Sequence, residues 1–197
     1  MRFWSTRTRS IGRLLIVAMA LTAASCSPDN RPYHPKPGTS YDPATGLPLE
    51  IISAKDGVEM VLVKAGAWKK GRPNGTALRT KIQAFYIDKY EVTNEAYCRF
   101  TSATHRATPA FPAPGAAVLQ WVNGRYAEGR GRCPVVLVSF EDAAAFADWA
   151  GKKLPTQEQW EYAARGTQRG EFPWGNSKLP PADCNTADRL AGRELFG

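Results

Sequence analysis

Histidine and cysteine are scarce in this sequence. Among 197 residues the only histidines are His34 and His105, and the only cysteines are Cys26, Cys98, Cys133 and Cys184. No two cysteines stand at the short spacing of a zinc motif, and two distant histidines cannot build a three-histidine iron site. Also missing are internal repeats, blocks of like charge and any apolar run long enough to cross a bilayer. The longest apolar run, Leu14 to Leu21, is about half of the roughly 20 residues a spanning helix needs. The formal charge of +8 looks basic, but residues 1–25 carry Arg2, Arg7, Arg9 and Arg13 and no acid. Without them, 22 basic residues face 18 acidic ones, and an excess of +4 is too small for a nucleic-acid surface. The full chain is 43% hydrophobic and 11% aromatic, which is material for one packed domain rather than a disordered chain.

The N-terminus reads as a signal peptide over residues 1–25: four arginines, a short apolar run, then the small residues Ala23-Ala24-Ser25 before Cys26. This ending resembles the bacterial lipobox, with Ala23 where the usual box has Leu. The resemblance implies cleavage before Cys26 and attachment of lipid to its sulfur. The expected product is an exported lipoprotein, bound to a membrane by its lipid on the periplasmic or cell-surface side. Residues 26–50 contain Pro28, Pro32, Pro35, Pro37, Pro43 and Pro48 with scattered apolar residues, so an extended, solvated tether is expected there. The folded domain is expected over residues 51–197. Export places Cys98, Cys133 and Cys184 in an oxidising compartment, where an odd count predicts one disulfide and one spare thiol. The spacing leaves open which two pair.

Within the domain the signals are short. Val58 to Lys64 predicts a strand buried on both faces, and Lys81 to Tyr90 alternates as a second strand. Thr93 predicts the cap of a helix through Phe100, with Glu95 in its first turn and Val92 packing on Tyr97. Residues 101–117 read as an irregular loop, and Asn123-Gly124 as a two-residue hairpin turn. Pro134 to Val138 predicts a buried strand. Ser139 then caps a helix closed by Gly151, and Thr156-Gln157-Glu158-Gln159 is a capping box opening another that ends at Gly166. Tyr86, Trp160, Tyr162 and Trp174 are expected as core and loop anchors, because large aromatics dominate burial in loop-rich domains. Arg165 is expected to pair internally with Glu158 or Glu161, and Asp88 with Glu91 forms a candidate acid pair.

Five blocks carry a further signal: Met60 to Gly66, Phe85 to Asn94, Pro134 to Ala143, Gly151 to Gly166 and Phe172 to Asn176. In this order they resemble the formylglycine-generating enzyme, or sulfatase-modifying factor, domain. The resemblance implies an α+β architecture, an irregular relative of the C-type lectin fold, matched here over its N-terminal portion and expected to be incomplete at the C-terminus. It also implies an activity. Family members oxidise a sulfatase cysteine to formylglycine with oxygen and a copper ion held by two nearby cysteines, and soft thiolates suit Cu(I). The family's later Gly-Asn-Val-Trp-Glu-Trp-like block and its cysteine pair have no counterpart in this sequence, so no residue is assigned a catalytic role. Structural calcium in the family uses an Asn side chain and the next carbonyl, which match Asn185 and Thr186, with Asp188 nearby. Two oxygens fall short of the six to eight that calcium takes, so the site is expected to be partial.

Two functions are compatible with these residues. One is an exported, lipid-anchored relative of the oxidase, inactive by itself, whose partner is a sulfatase-like polypeptide. The other is a non-catalytic surface module that binds a protein or glycan on the same scaffold.

Overall fold

The computed structural model describes residues 18–19, 32–70, 78–110, 121–166 and 172–177. Two compact units emerge, one from Met1–Lys64 with Ala84–Pro155 and the other from Ala65–Gln83 with Thr156–Gly197.

The first unit holds an antiparallel sheet and two helices. Its strands are β1 (Ala18–Met19), β2 (Tyr33–Pro35), β3 (Glu50–Ser53), β4 (Glu59–Val63) and β7 (Phe85–Asp88), in the order β1-β7-β4-β3-β2. β3 turns directly into β4, placing Ile51 opposite Met60, while β4 pairs with β7 so that Leu62 faces Tyr86. Ile51, Met60 and Tyr86 form a small buried core between these strands. Tyr86 needs a partner for its hydroxyl in that apolar setting, and it donates to the Pro48 carbonyl at 2.8 Å.

This bond bears on the N-terminal boundary. Part of the Pro-rich stretch 26–50, expected to be a solvated tether, instead contributes to the sheet: β2 pairs with β3, Tyr41 bridges Pro48, and Tyr33 packs on Tyr86 with ring centroids 5.7 Å apart. Proline is tolerated because β2 is an edge strand, where one row of amides has no ladder partner. β1 lies within the expected leader and pairs with β7 through Ala18–Ile87 and Met19–Tyr86.

Helices α1 (Asn94–Thr104) and α2 (Phe140–Trp149) supply the larger core of this unit. Tyr97, Phe100 and Phe146 meet as a stacked and edge-on aromatic set, with Trp121 edge-on to Tyr97 at 6.2 Å. Thr93 accepts from the Ala96 amide, and Ser139 from the Asp142 amide, so both expected caps form. α1 runs past Phe100 into the expected loop and stops at His105, in the left-handed region at φ 55°.

The second unit contains β5 (Gly66–Lys70), β6 (Leu78–Ile82) and α3 (Gln157–Arg165), with β5 and β6 paired antiparallel. Trp68, Ile82 and Tyr162 are its buried apolar side chains among the described residues. The Thr156 capping box is complete, with the Gln159 side chain accepting from the Thr156 amide. Gly66 passes directly against the Tyr162 hydroxyl, where a Cβ would collide.

Three strand expectations are corrected. Residues 81–90 do not form one strand: β6 and β7 belong to different sheets, separated at Gln83-Ala84. Apolar residues run from Ile82 into the fully buried β7, so the sequence pattern alone does not reveal the break. Residues 134–138 make only the Thr93–Pro134 bridge, since Leu137 at φ 62° leaves the extended region. β4 has only Met60 fully buried, so it is not covered on both faces. At the predicted hairpin, Val122 and Arg125 bridge around Asn123 (φ 51°) and Gly124 (φ 76°), the positive angles a type I′ turn requires.

Candidate functional site

Three chain segments far apart in sequence bring charged groups together inside the first unit. Lys152 Nζ donates to Asp56 Oδ2 at 2.7 Å and to Asp88 Oδ1 at 2.8 Å, with the lysine side chain 0% exposed. Each segment is set by local chemistry. α2 ends in a Schellman motif, in which Gly151 (φ 71°) donates to the Asp148 carbonyl and Lys152 to the Ala147 carbonyl. That turn directs the chain back and delivers Lys152 to the interior. Asp56 lies in the β3–β4 loop, where its Oδ1 accepts from the Val58 amide and Gly57 takes φ 71°. Its carbonyl also accepts from Arg99 on α1. Asp88 is the last residue of β7, all four of whose residues are buried.

Two carboxyls face one ammonium, and Asp88 Oδ2 has no hydrogen-bond partner. Burial pushes the Asp88 carboxyl up to about 7; Lys152 pulls it down, and Asp56 adds to the rise. Asp88 thus bonds Lys152 and is not the partner of Glu91, whose own carboxyl is raised by burial.

A second charged set lies across the strands of the same sheet. Lys36 sits 3.1 Å from Glu50 and 3.0 Å from Glu59, and Lys89 sits 2.9 Å from Glu50. The two lysines hold the Glu50 carboxyl below its usual range, Lys89 more strongly. These groups remain partly solvated, so they act as a surface clasp rather than as reactive groups.

The other sequence candidates separate. Arg165 pairs with Glu161 at 2.6 Å, one turn away on α3. Tyr86 and Tyr162 are buried anchors, whereas Trp160 is 38% exposed on α3 and is not a core residue. Trp174 stacks on Phe172 with centroids 5.1 Å apart and donates to the Ser177 carbonyl. Cys98 on α1 and Cys133 before the Pro134 bridge are half-buried free thiols. Cys26, Cys184, Asn185, Thr186 and Asp188 lie outside the described residues.

Among the described residues no group of three or more His, Cys, Asp or Glu side chains could hold a metal ion. Cys98 and Cys133 belong to segments far apart in sequence, and neither is in a disulfide. The buried Asp56–Lys152–Asp88 cluster does not fit a cation either, because an ammonium already occupies its centre.

Sequence reading overlooked the role of Lys152. The Gly151 helix stop is legible in the sequence. Nothing local indicates that the lysine beside that glycine is buried.

Residues 51–194 match the model of the sulfatase-modifying factor enzyme 1-like domain. The chain belongs to that family. Among its relatives, the formylglycine-generating enzyme of Mus musculus is 33% identical over 178 residues, covering 68% of this chain and 47% of the relative. That of Thermomonospora curvata is 32% identical over 185 residues, covering 73% of this chain and 59% of the relative. The inactive C-alpha-formylglycine-generating enzyme 2 of Bos taurus is 56% identical over a stretch of 48 residues, 24% of this chain and 16% of the relative. The chain spans about half the length of the two formylglycine-generating enzymes it matches. The sulfatase-modifying factor family is thus represented here by an α+β fold with antiparallel sheets, as the motif blocks implied.

Proposed function

We propose that this protein is an exported, lipid-anchored member of the sulfatase-modifying factor family that engages a polypeptide partner, and that these 197 residues do not by themselves oxidise cysteine to formylglycine. The thiol arrangement carries this reading. Cys98 and Cys133 are half-buried, neither is in a disulfide, and they stand far apart in sequence, unlike the closely spaced cysteine pair that the family resemblance implies for copper. Cys184 stands alone in its stretch of sequence and adds no neighbouring thiol. Export and anchoring rest on the arginine-rich start, the short apolar run and Ala23-Ala24-Ser25-Cys26.

The test is an oxidation assay with the purified full chain, a sulfatase-derived cysteine peptide, copper and oxygen. The expected result is no mass loss on the peptide cysteine. Turnover above the copper-only background would refute the reading. Anchoring is tested by intact mass from a membrane fraction: the expected species begins at a diacylated Cys26, and a species without lipid on Cys26 refutes that part.

A second reading is a purely binding surface module for a protein or glycan. The similarity, over 48 residues, to a relative whose name marks it as inactive supports it. Pull-down of a sulfatase-like polypeptide by the full chain favours the first reading, and retention on immobilised glycan without polypeptide binding favours the second.

A further inference from the structure

The buried cluster has an odd number of charged partners. Lys152 can balance one carboxylate, yet Asp56 and Asp88 both bond to it in a space closed to solvent. The two acids are not equivalent. Asp56 is well supplied, since Oδ2 accepts from Lys152 and Oδ1 from the Val58 amide. Asp88 has a donor only at Oδ1, and its Oδ2 is buried with none. An anionic oxygen without a donor is among the most costly groups to bury, whereas a neutral carboxylic acid is far less so. Among the described residues the other cations nearby are engaged elsewhere than at Asp88 Oδ2. β4 presents Met60 opposite Asp88; Lys89 turns to Glu50 and Glu59; Lys55 lies over the Trp149 ring; and Arg99 reaches the Asp56 carbonyl.

We propose that the folded chain takes up one proton at this cluster, on Asp88 Oδ2, so that the clamp joining the β3–β4 loop, the end of β7 and the segment after α2 tightens as the pH falls. The sign follows from linkage. An acid whose folded value lies above its unfolded one binds more protons when folded, so stability falls as pH rises between the two values and is flat above the higher one. The window runs from the ordinary aspartate range up to about 7. One linked proton corresponds to about a tenfold change in the folding constant per pH unit.

Urea unfolding of the full chain from pH 5 to pH 8.5, compared with Asp88→Asn, tests this. Asn keeps an oxygen toward Lys152 and removes the titration. The expected result is that the folding constant of the wild type falls with pH through the window by up to about tenfold per unit more than that of D88N. Parallel profiles would overturn the proposal. If D88N does not fold, Glu91→Gln, which lacks the other acid raised by burial, decides: its refolding in weakly buffered solution at pH 6 with an indicator dye should consume close to one proton per molecule. At that pH exposed carboxylates are ionised and exposed lysines protonated in both states. No net uptake there would also overturn it.

Discussion

Lys152→Met is the most informative single perturbation of this fold. The methionine fills most of the lysine's volume, so the change removes charge and two hydrogen bonds while adding little cavity. What it leaves behind sets the magnitude. Asp56 Oδ2 and Asp88 Oδ1, at 2.7 and 2.8 Å from the ammonium, would both lose their donor in a site without solvent. Breaking a buried ion pair from one side typically costs about 3–5 kcal/mol, since the remaining charge is uncompensated. For a domain of this size about 1 kcal/mol moves the melting temperature by about 2–4 °C, so a loss of about 6–20 °C is expected. The assay is thermal unfolding followed by circular dichroism on the full chain, with Lys153→Met as control. Lys153 is the exposed neighbour, and its replacement should change stability by less than about 0.5 kcal/mol. A K152M melt within 2 °C of the wild type would refute the claim that the ammonium holds these segments together.

Other substitutions test local features. Gly151→Ala places a side chain at φ 71° in open space, so only backbone strain and misplacement of Lys152 oppose it; a loss of about 1–2 kcal/mol in urea unfolding is expected. Gly66→Ala drives a Cβ into the Tyr162 hydroxyl and should cost about 1–3 kcal/mol, whereas the double change with Tyr162→Phe should recover part of that loss. Thr156→Ala removes half of the α3 capping box and should cost about 1 kcal/mol, measured by the same unfolding. His105→Gly relieves a left-handed residue at the end of α1, and a gain of about 0.5–1 kcal/mol is expected; a loss would show that the histidine ring makes a contact of its own.

Legibility of the fold followed the reach of each interaction. Thr93, Ser139 and Thr156 bond amides three residues away, and Asn123-Gly124 and Gly151 carry their turns in their own backbone preferences, so these features could be placed before the structure was known. The same holds for Arg165 and Glu161, one helical turn apart. Where β6 ends and β7 begins could not be placed that way. Residues 81–90 read as one strand-like run, and only the pairing of each half with a different strand divides them. The composition of the Pro-rich segment does not encode that its Pro48 carbonyl accepts from a tyrosine 38 residues later.

The candidate site divides along the same line. The sequence by itself determined the family blocks, the scattered thiols and the helix stop before Lys152. Tertiary structure decided that this lysine, indistinguishable in sequence from a solvated surface charge, would lie between two aspartates 96 and 64 residues away. Caps and turns recover their energy from neighbours along the chain, and local sequence therefore encodes them. A buried ammonium is stable only where distant carboxyls converge on it, and that convergence is a property of the assembled sheet and helices.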